Sequence, residues 1–170
     1  MPNTRQILIR DARPADGTAL HAINEAAVPG VNSVSDESLS RLVRECADLA
    51  LVAECANCLT GFAICMREGI EYDSPNYRWL LHRYAKFVYI DRIAVAPESR
   101  GGNVGQQLYE SIIGHYEGRV PVLLAEVSLA PSNPGSLRFH HRHGFRPIGE
   151  RWDSDGDKGV VFLERPLMMR

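Results

Sequence analysis

The sequence has no apolar stretch long enough to cross a bilayer. Its polar opening, Met1-Pro2-Asn3-Thr4-Arg5-Gln6, lacks the apolar run of a signal peptide, and Pro2 stands where a myristoylation signal needs glycine. It also has no basic surplus: 19 Lys and Arg stand against 21 Asp and Glu, a formal net charge of -2. Nucleic-acid binding usually wants a basic face, and a weak acidic balance does not favour anionic membranes. These absences lead to the expectation of a cytoplasmic protein with neither nucleic acid nor membrane as partner.

Cysteine is scarce. Cys46, Cys55, Cys58 and Cys65 are the four present. Cys55-Ala56-Asn57-Cys58 has half the spacing of a zinc site, but the second pair is missing, and Cys46 and Cys65 would have to reach it from a helix and a distant strand. A thioredoxin-like role needs a helix after the motif, where the pattern predicts a strand. A strand–turn–strand corner is the simpler reading. His140, His141 and His143 have no carboxylate or cysteine beside them in sequence. No metal is expected.

What remains is ordinary for a globular chain: 170 residues, 45% hydrophobic and 24% charged, enough for one domain, residues 1–170, with a real core. No repeat, linker or low-complexity tract interrupts it. Apolar periodicity and turn residues predict a strand at Gln6–Arg10 and a helix opened by Arg13-Pro14-Ala15-Asp16 and stopped by Pro29-Gly30. A helix capped at Ser35 follows, then a hairpin of Leu49–Glu54 with Leu59–Met66. Glu68–Ala85 reads as a long loop in which Tyr77–Tyr84 can form a short helix. The strongest strand, Lys86–Ala96, precedes a helix from Val104 to about Gly118. In that helix Val104, Leu108, Ile112 and His115 share a face. A strand over Val120–Ser128, a helix from Asn133 to Gly144 and a hairpin of Phe145–Arg151 with Gly159–Arg165 complete the chain. Hairpins mixed with single crossovers predict an α/β fold, a mixed, mostly antiparallel sheet in three layers with helices on its faces.

Between the strongest strand and its helix lies Arg100-Gly101-Gly102-Asn103-Val104-Gly105. A buried strand entering a slim turn at a helix N-terminus aims several amides at one point and suits an anion such as phosphate. Glycine lets that anion approach the backbone without a Cβ in the way. The Gly-Lys-Ser or Gly-Lys-Thr of a Walker loop is absent, and Gly102 and Gly105 do not make the GxGxxG of a dinucleotide site. A turn that merely reverses the chain is the alternative.

The stretch resembles the acyl-CoA signature of the GNAT superfamily of N-acetyltransferases, in which Arg or Gln is followed by two free positions, Gly, one free position, then Gly or Ala. Arg100 and Gly105 match its ends. Asn103 replaces the middle Gly, and Asn is the residue other than glycine that best tolerates a left-handed backbone. A second match is Asn133-Pro134-Gly135-Ser136, which opens a helix ending in Gly144-Phe145. The resemblance covers nearly the whole chain, and the Tyr72-Asp73-Ser74-Pro75-Asn76-Tyr77 stretch is similar to that of bacterial members. It implies acetyl-CoA as acyl donor, direct attack by a primary amine in a ternary complex, and a homodimer as a common assembly. It further implies that amides of Gly101, Gly102, Asn103, Val104 and Gly105 hold the pyrophosphate. Backbone along Ile93, Ala94 and Val95 would then pair with the pantetheine arm, and Asn133, Ser136 and Phe139 would lie beside the cofactor. Asn133 is equally a plain helix cap.

Most members carry a tyrosine as thiolate acid four residues before that glycine; here the position is His140. An ordinary imidazole is roughly a quarter charged at pH 7 and could donate the proton, or His140 only packs. Some group, or a water chain, must take the amine proton, and the carboxylates placed for it are Glu126, the favoured candidate, and Asp91. Glu126 is the lone acid of an apolar strand, where burial would raise its pKa, and its place resembles the base of the N-terminal-amine branch. Asp91 shares a strand face with Tyr89, Ile93 and Val95, or else pairs with Arg92 or Arg83. In the histone-acetylating branch the base would fall at Tyr89. Tyr72, Asp73, Tyr77, Trp79 and Tyr89 make an acidic, aromatic set suited to a cationic acceptor, a small amine or a peptide N-terminus; a surface loop with its own aromatic cluster is the equal alternative. The competing reading is a non-catalytic acyl-CoA sensor of the same fold.

Overall fold

The computed structural model describes residues 6–169, so readings made on Met1–Arg5 lie outside the described residues. The elements are β1 (Ile7–Asp11), α1 (Gly17–Ala26), α2 (Asp36–Arg41), β2 (Leu49–Cys55), β3 (Cys58–Arg67), α3 (Pro75–Leu81), β4 (Val88–Val95), α4 (Val104–Tyr116), β5 (Val122–Ala130), α5 (Pro134–Arg142), β6 (Arg146–Trp152) and β7 (Gly159–Pro166). The seven strands form one mixed sheet in the order β1-β2-β3-β4-β5-β7-β6, with flanking helices, as expected from the element pattern. β4 and β5 run parallel, whereas β1–β2, β2–β3, β5–β7 and β6–β7 are antiparallel.

The chain divides into two compact units, residues 6–65 with 92–114 and residues 66–91 with 115–169. In the first, Ser35 caps α2 by accepting the Ser38 amide, and Leu20, Ile23, Leu39, Phe62 and Leu108 are buried. Cys55 and Cys58 face each other as the last rung of the β2–β3 hairpin, with Ala56 and Asn57 at φ 52° and 63° between them. Two positive φ values make the tight turn whose twist matches a hairpin. Cys46 and Cys55 are half-buried, Cys58 is exposed and Cys65 is buried, and among the described residues no three His, Cys, Asp or Glu side chains group as metal ligands.

Two details depart from the sequence reading. The first helix proper begins at Gly17: Pro14–Asp16 form a 3-10 turn before it, in which Asp16 accepts the Arg13 amide at 2.7 Å and meets the Arg10 guanidinium at 2.8 Å. On α4, Tyr109 and Tyr116 are buried beside Leu108 and Ile112 while His115 is exposed.

In the second unit, α3 begins two residues earlier than the periodicity suggested. Ser74 accepts the Tyr77 amide and Pro75 occupies the first turn, a start that needs no apolar residue. β5 is apolar on both faces up to Ala125, which is what a central strand of a covered sheet requires.

Candidate functional site

The β4–β5 pairing joins Val88 to Leu123 and Tyr89 to Leu124. Two residues beyond the second pair on each strand stand Asp91 and Glu126. Alternation puts Tyr89, Asp91, Leu124 and Glu126 on one face. Glu126 is half-buried there, with Asn76 Nδ2 donating to its Oε1 at 2.6 Å and Tyr89 Oη donating to its Oε2 at 2.9 Å. Burial pushes its pKa up to about 7. The two hydrogen bonds and the charge of Arg151 oppose that rise, and Asp91 adds to it. A group that is half ionised near neutrality suits proton transfer. Tyr89 is fully buried beside these acids, first burial and then Glu126 and Asp91 holding its hydroxyl protonated. Tyr72 donates to Asp91 Oδ1 at 2.7 Å.

Asn76 and Arg151 were not singled out from the sequence. Arg151 Nε donates to Asn76 Oδ1 at 2.6 Å, so one Asn bridges the guanidinium and Glu126. Asn76 was visible only as turn chemistry. The Ser74-Pro75 start would have placed it in the first turn of a helix, but nothing local announces Arg151.

The other aromatic candidates are occupied by the fold. Tyr77 is fully buried, and its hydroxyl donates to the Arg67 carbonyl at 2.6 Å. Trp79 stacks on Phe162 with centroids 4.1 Å apart, and the Arg83 guanidinium lies 3.5 Å from the same ring. The Trp79 ring is thus packed by Phe162 and by a cation of the protein's own. Asp73 is exposed and meets Arg78 at 2.6 Å. Of the expected acceptor set, Tyr72 and Tyr89 stand with the two acids.

Arg92, one suggested partner of Asp91, is buried on the opposite face of β4 and donates to Asn24 Oδ1 at 2.9 Å and Asn32 Oδ1 at 3.2 Å. His140 is buried too. Its Nδ1 lies 2.8 Å from the Ser136 carbonyl, a contact that assigns the ring proton to Nδ1. Burial pulls its pKa down to about 4, so the partly charged imidazole expected from sequence is neutral here. Asn133 caps α5, accepting the Ser136 amide at 3.1 Å. Phe139 is half-buried against His143.

In the first unit, the turn before α4 is exposed from Arg100 to Asn103, and Val104 is buried. Gly101 has φ 79° and Asn103 φ 64°, the left-handed conformation that an Asn in place of glycine was expected to tolerate. A Cβ on Gly101 would meet nothing within 4 Å, so the turn is open on that side. Gln107 N bonds to Asn103 O at 3.0 Å, which leaves the first amides of α4 without intrahelical acceptors. Gly61 on β3 permits this seating, since a Cβ there would lie 2.8 Å from Val104 Cγ1 and 2.9 Å from the Ala94 carbonyl. Ile93 and Val95 are half-buried along β4, and Ala94 is buried between them. An open turn at a helix N-terminus suits an anion such as a pyrophosphate.

The model of the acetyltransferase (GNAT) family matches residues 19–145. Solved structures with similar folds include the ribosomal-protein-S18-alanine N-acetyltransferase of Escherichia coli, 20% identical with a TM-score of 0.75, over 97% of this chain and 96% of that one. The ribosomal-protein-alanine N-acetyltransferase of Brucella melitensis is 26% identical with a TM-score of 0.68, over 94% and 99%. NAA60 of Arabidopsis thaliana, in complex with a bisubstrate analogue, is 16% identical with a TM-score of 0.75, over 97% and 100%. A comparison with curated proteins finds no match.

Proposed function

The chain belongs to the GNAT acetyltransferase family, and from that premise we propose that it transfers the acetyl group of acetyl-CoA to a primary amine, with Glu126 as the base. The observation that carries this reading is the carboxyl of Glu126, pushed up to about 7 and held by Asn76 and Tyr89. An amine is protonated near neutral pH and attacks only after losing a proton. Glu126 takes a proton from the ammonium, the freed amine nitrogen bonds to the thioester carbonyl carbon, the carbon–sulfur bond breaks as the CoA thiolate leaves, and the nitrogen's second proton passes to solvent. Asp91 stays beside Glu126 as the second acid, a counter-charge for the incoming ammonium.

The turn Arg100–Gly105 holds the CoA pyrophosphate on its amides, and the backbone at Ile93 and Val95 pairs with the pantetheine arm. The family resemblance gives Asn133, Ser136 and Phe139 a part in cofactor binding as well. His140 serves here as packing: a neutral ring with its proton committed to the Ser136 carbonyl is a poor acid. The thiolate then takes its proton from solvent.

The test is thiol release from acetyl-CoA by the purified protein against amines, amino acids and short peptides. The peptides include alanine N-termini, the acceptor in the names of two similar structures. The expected result is release that depends on one acceptor class, falls by about 100-fold or more in Glu126→Gln, and survives in His140→Phe within about tenfold. Tight acetyl-CoA binding with no turnover on any acceptor would favour the sensor reading instead. Full activity in Glu126→Gln would remove Glu126 as the base.

A further inference from the structure

α3 lies across three strands of the second unit, and one of its faces is read out by side chains three residues apart. Asn76 meets Glu126 on β5, while Trp79 stacks on Phe162 of β7, the residue paired with Glu126 in the β5–β7 register. On β6, Gly149 pairs with Phe162 and leaves room for the indole edge: a Cβ there would lie 2.8 Å from Trp79 Cζ2. Two residues further along the same strand is Arg151, which donates to Asn76 Oδ1 at 2.6 Å.

A free Asn side chain can present either its carbonyl or its NH2 to a neighbour. Here the guanidinium, which only donates, claims the carbonyl, and the NH2 is left to face the carboxylate. We propose that Arg151 and Asn76 are positioning residues for Glu126: Arg151 locks the Asn76 amide in the one orientation that donates to Glu126 Oε1, and so keeps this carboxyl oriented as a proton acceptor. The inference rests on the reading of Glu126 as base, and it adds a specific division of labour. Asn76 stabilises the ionised carboxylate by donating to it, and Arg151 acts on Glu126 largely through the amide. Without that lock the amide can turn its carbonyl to Glu126, where it would favour the protonated acid and offer its hydrogen the wrong partner. The other groups facing Glu126 are Tyr89, which donates to Oε2, and Asp91, whose charge resists ionisation; both come from β4.

The experiment is a pH titration of the Glu126 carboxyl by carbon-13 NMR in the intact protein, its signal identified by loss in Glu126→Gln. No acceptor is needed, so failure here is distinct from failure of the turnover test. Asn76→Ala is expected to raise the midpoint by about one pH unit, and Arg151→Met by a similar amount. The deciding arm is the double variant. If Arg151 works through the amide, Arg151→Met raises the midpoint in the Asn76→Ala background by less than half of what it does alone. Arg151→Lys, which can still donate to Asn76 Oδ1, is expected to stay near wild type. Asn76→Leu, close to Asn in volume, replaces Asn76→Ala if the truncation unfolds the chain. An Arg151→Met shift of equal size in both backgrounds would overturn the proposal, since Arg151 would then act by its charge alone. An unchanged midpoint in Asn76→Ala would overturn it equally.

Discussion

Glu126 has a cost to the fold that is separate from its chemistry. Its carboxyl titrates near 7 in the folded protein against an ordinary 4.5, so between those values the folded chain holds a proton that the unfolded chain has released. The stability this group contributes is fully present below about 4.5 and is lost as pH rises through 7. Glutamine keeps the shape and can still accept from Asn76 while carrying no charge. Glu126→Gln is therefore expected to be more stable than wild type at pH 8 by about 2 kcal/mol, allowing for partial exposure, and to match it at pH 4. Urea denaturation at the two pH values measures this. A variant that gains stability as it loses turnover is the behaviour of a residue kept for function. His140 acts in the opposite sense: its pKa of about 4 means that stability falls as pH drops below the ordinary 6.5, equally in both proteins. The lone acid in an apolar strand was legible in the sequence as a candidate base, because an isolated carboxylate among Leu, Ala and Val stands out. The neutrality of His140 was not, because it depends on burial by residues distant in the chain.

At the scale of the element, α3 is the piece on which the carboxylate depends. Its position is set by Trp79 packed with Phe162 and Arg83 and by the missing side chain at Gly149. Gly149→Ala puts a methyl within 2.8 Å of a rigid ring that is itself packed by Phe162 and Arg83. The expected outcome is a loss of about 1–3 kcal/mol in unfolding free energy, together with a Glu126 midpoint displaced towards that of Asn76→Ala. Thermal denaturation and the carboxyl titration check the two parts. Aromatic residues around Tyr77 and Trp79 drew attention in the sequence as an acceptor pocket. Tyr77, with Leu80, lies on the buried apolar face of the helix. The Ser74-Pro75 start gave the helix its true beginning, a local signal that apolar spacing alone had masked.

For the molecule as a whole, the family was legible because its evidence is local. Each signature, Arg100–Gly105 and Asn133–Phe145, is a continuous run whose strand, turn and helix form where its residues stand. The hydrogen bonds that hold the Glu126 carboxyl are not local. Asn76 and Glu126 are 50 residues apart, and Asn76 and Arg151 are 75 apart. No periodicity in one sequence connects them; the sheet order does. With a net charge of -2 the protein offers a polyanionic cofactor no long-range attraction. In the proposed reading, CoA is recognised by short-range contacts that begin at the Arg100–Gly105 turn, and the carboxyl of Glu126 takes the proton. The pH dependence of kcat/KM, measured with the acceptor that turns over, tests that carboxyl directly. The expected profile has an acid limb with a midpoint near 7 from the free enzyme, besides the limb set by the acceptor's own amine, and Glu126→Gln lacks it. A residual Glu126→Gln activity with the same limb near 7, or a wild-type profile that follows only the acceptor amine, would contradict Glu126 as the base.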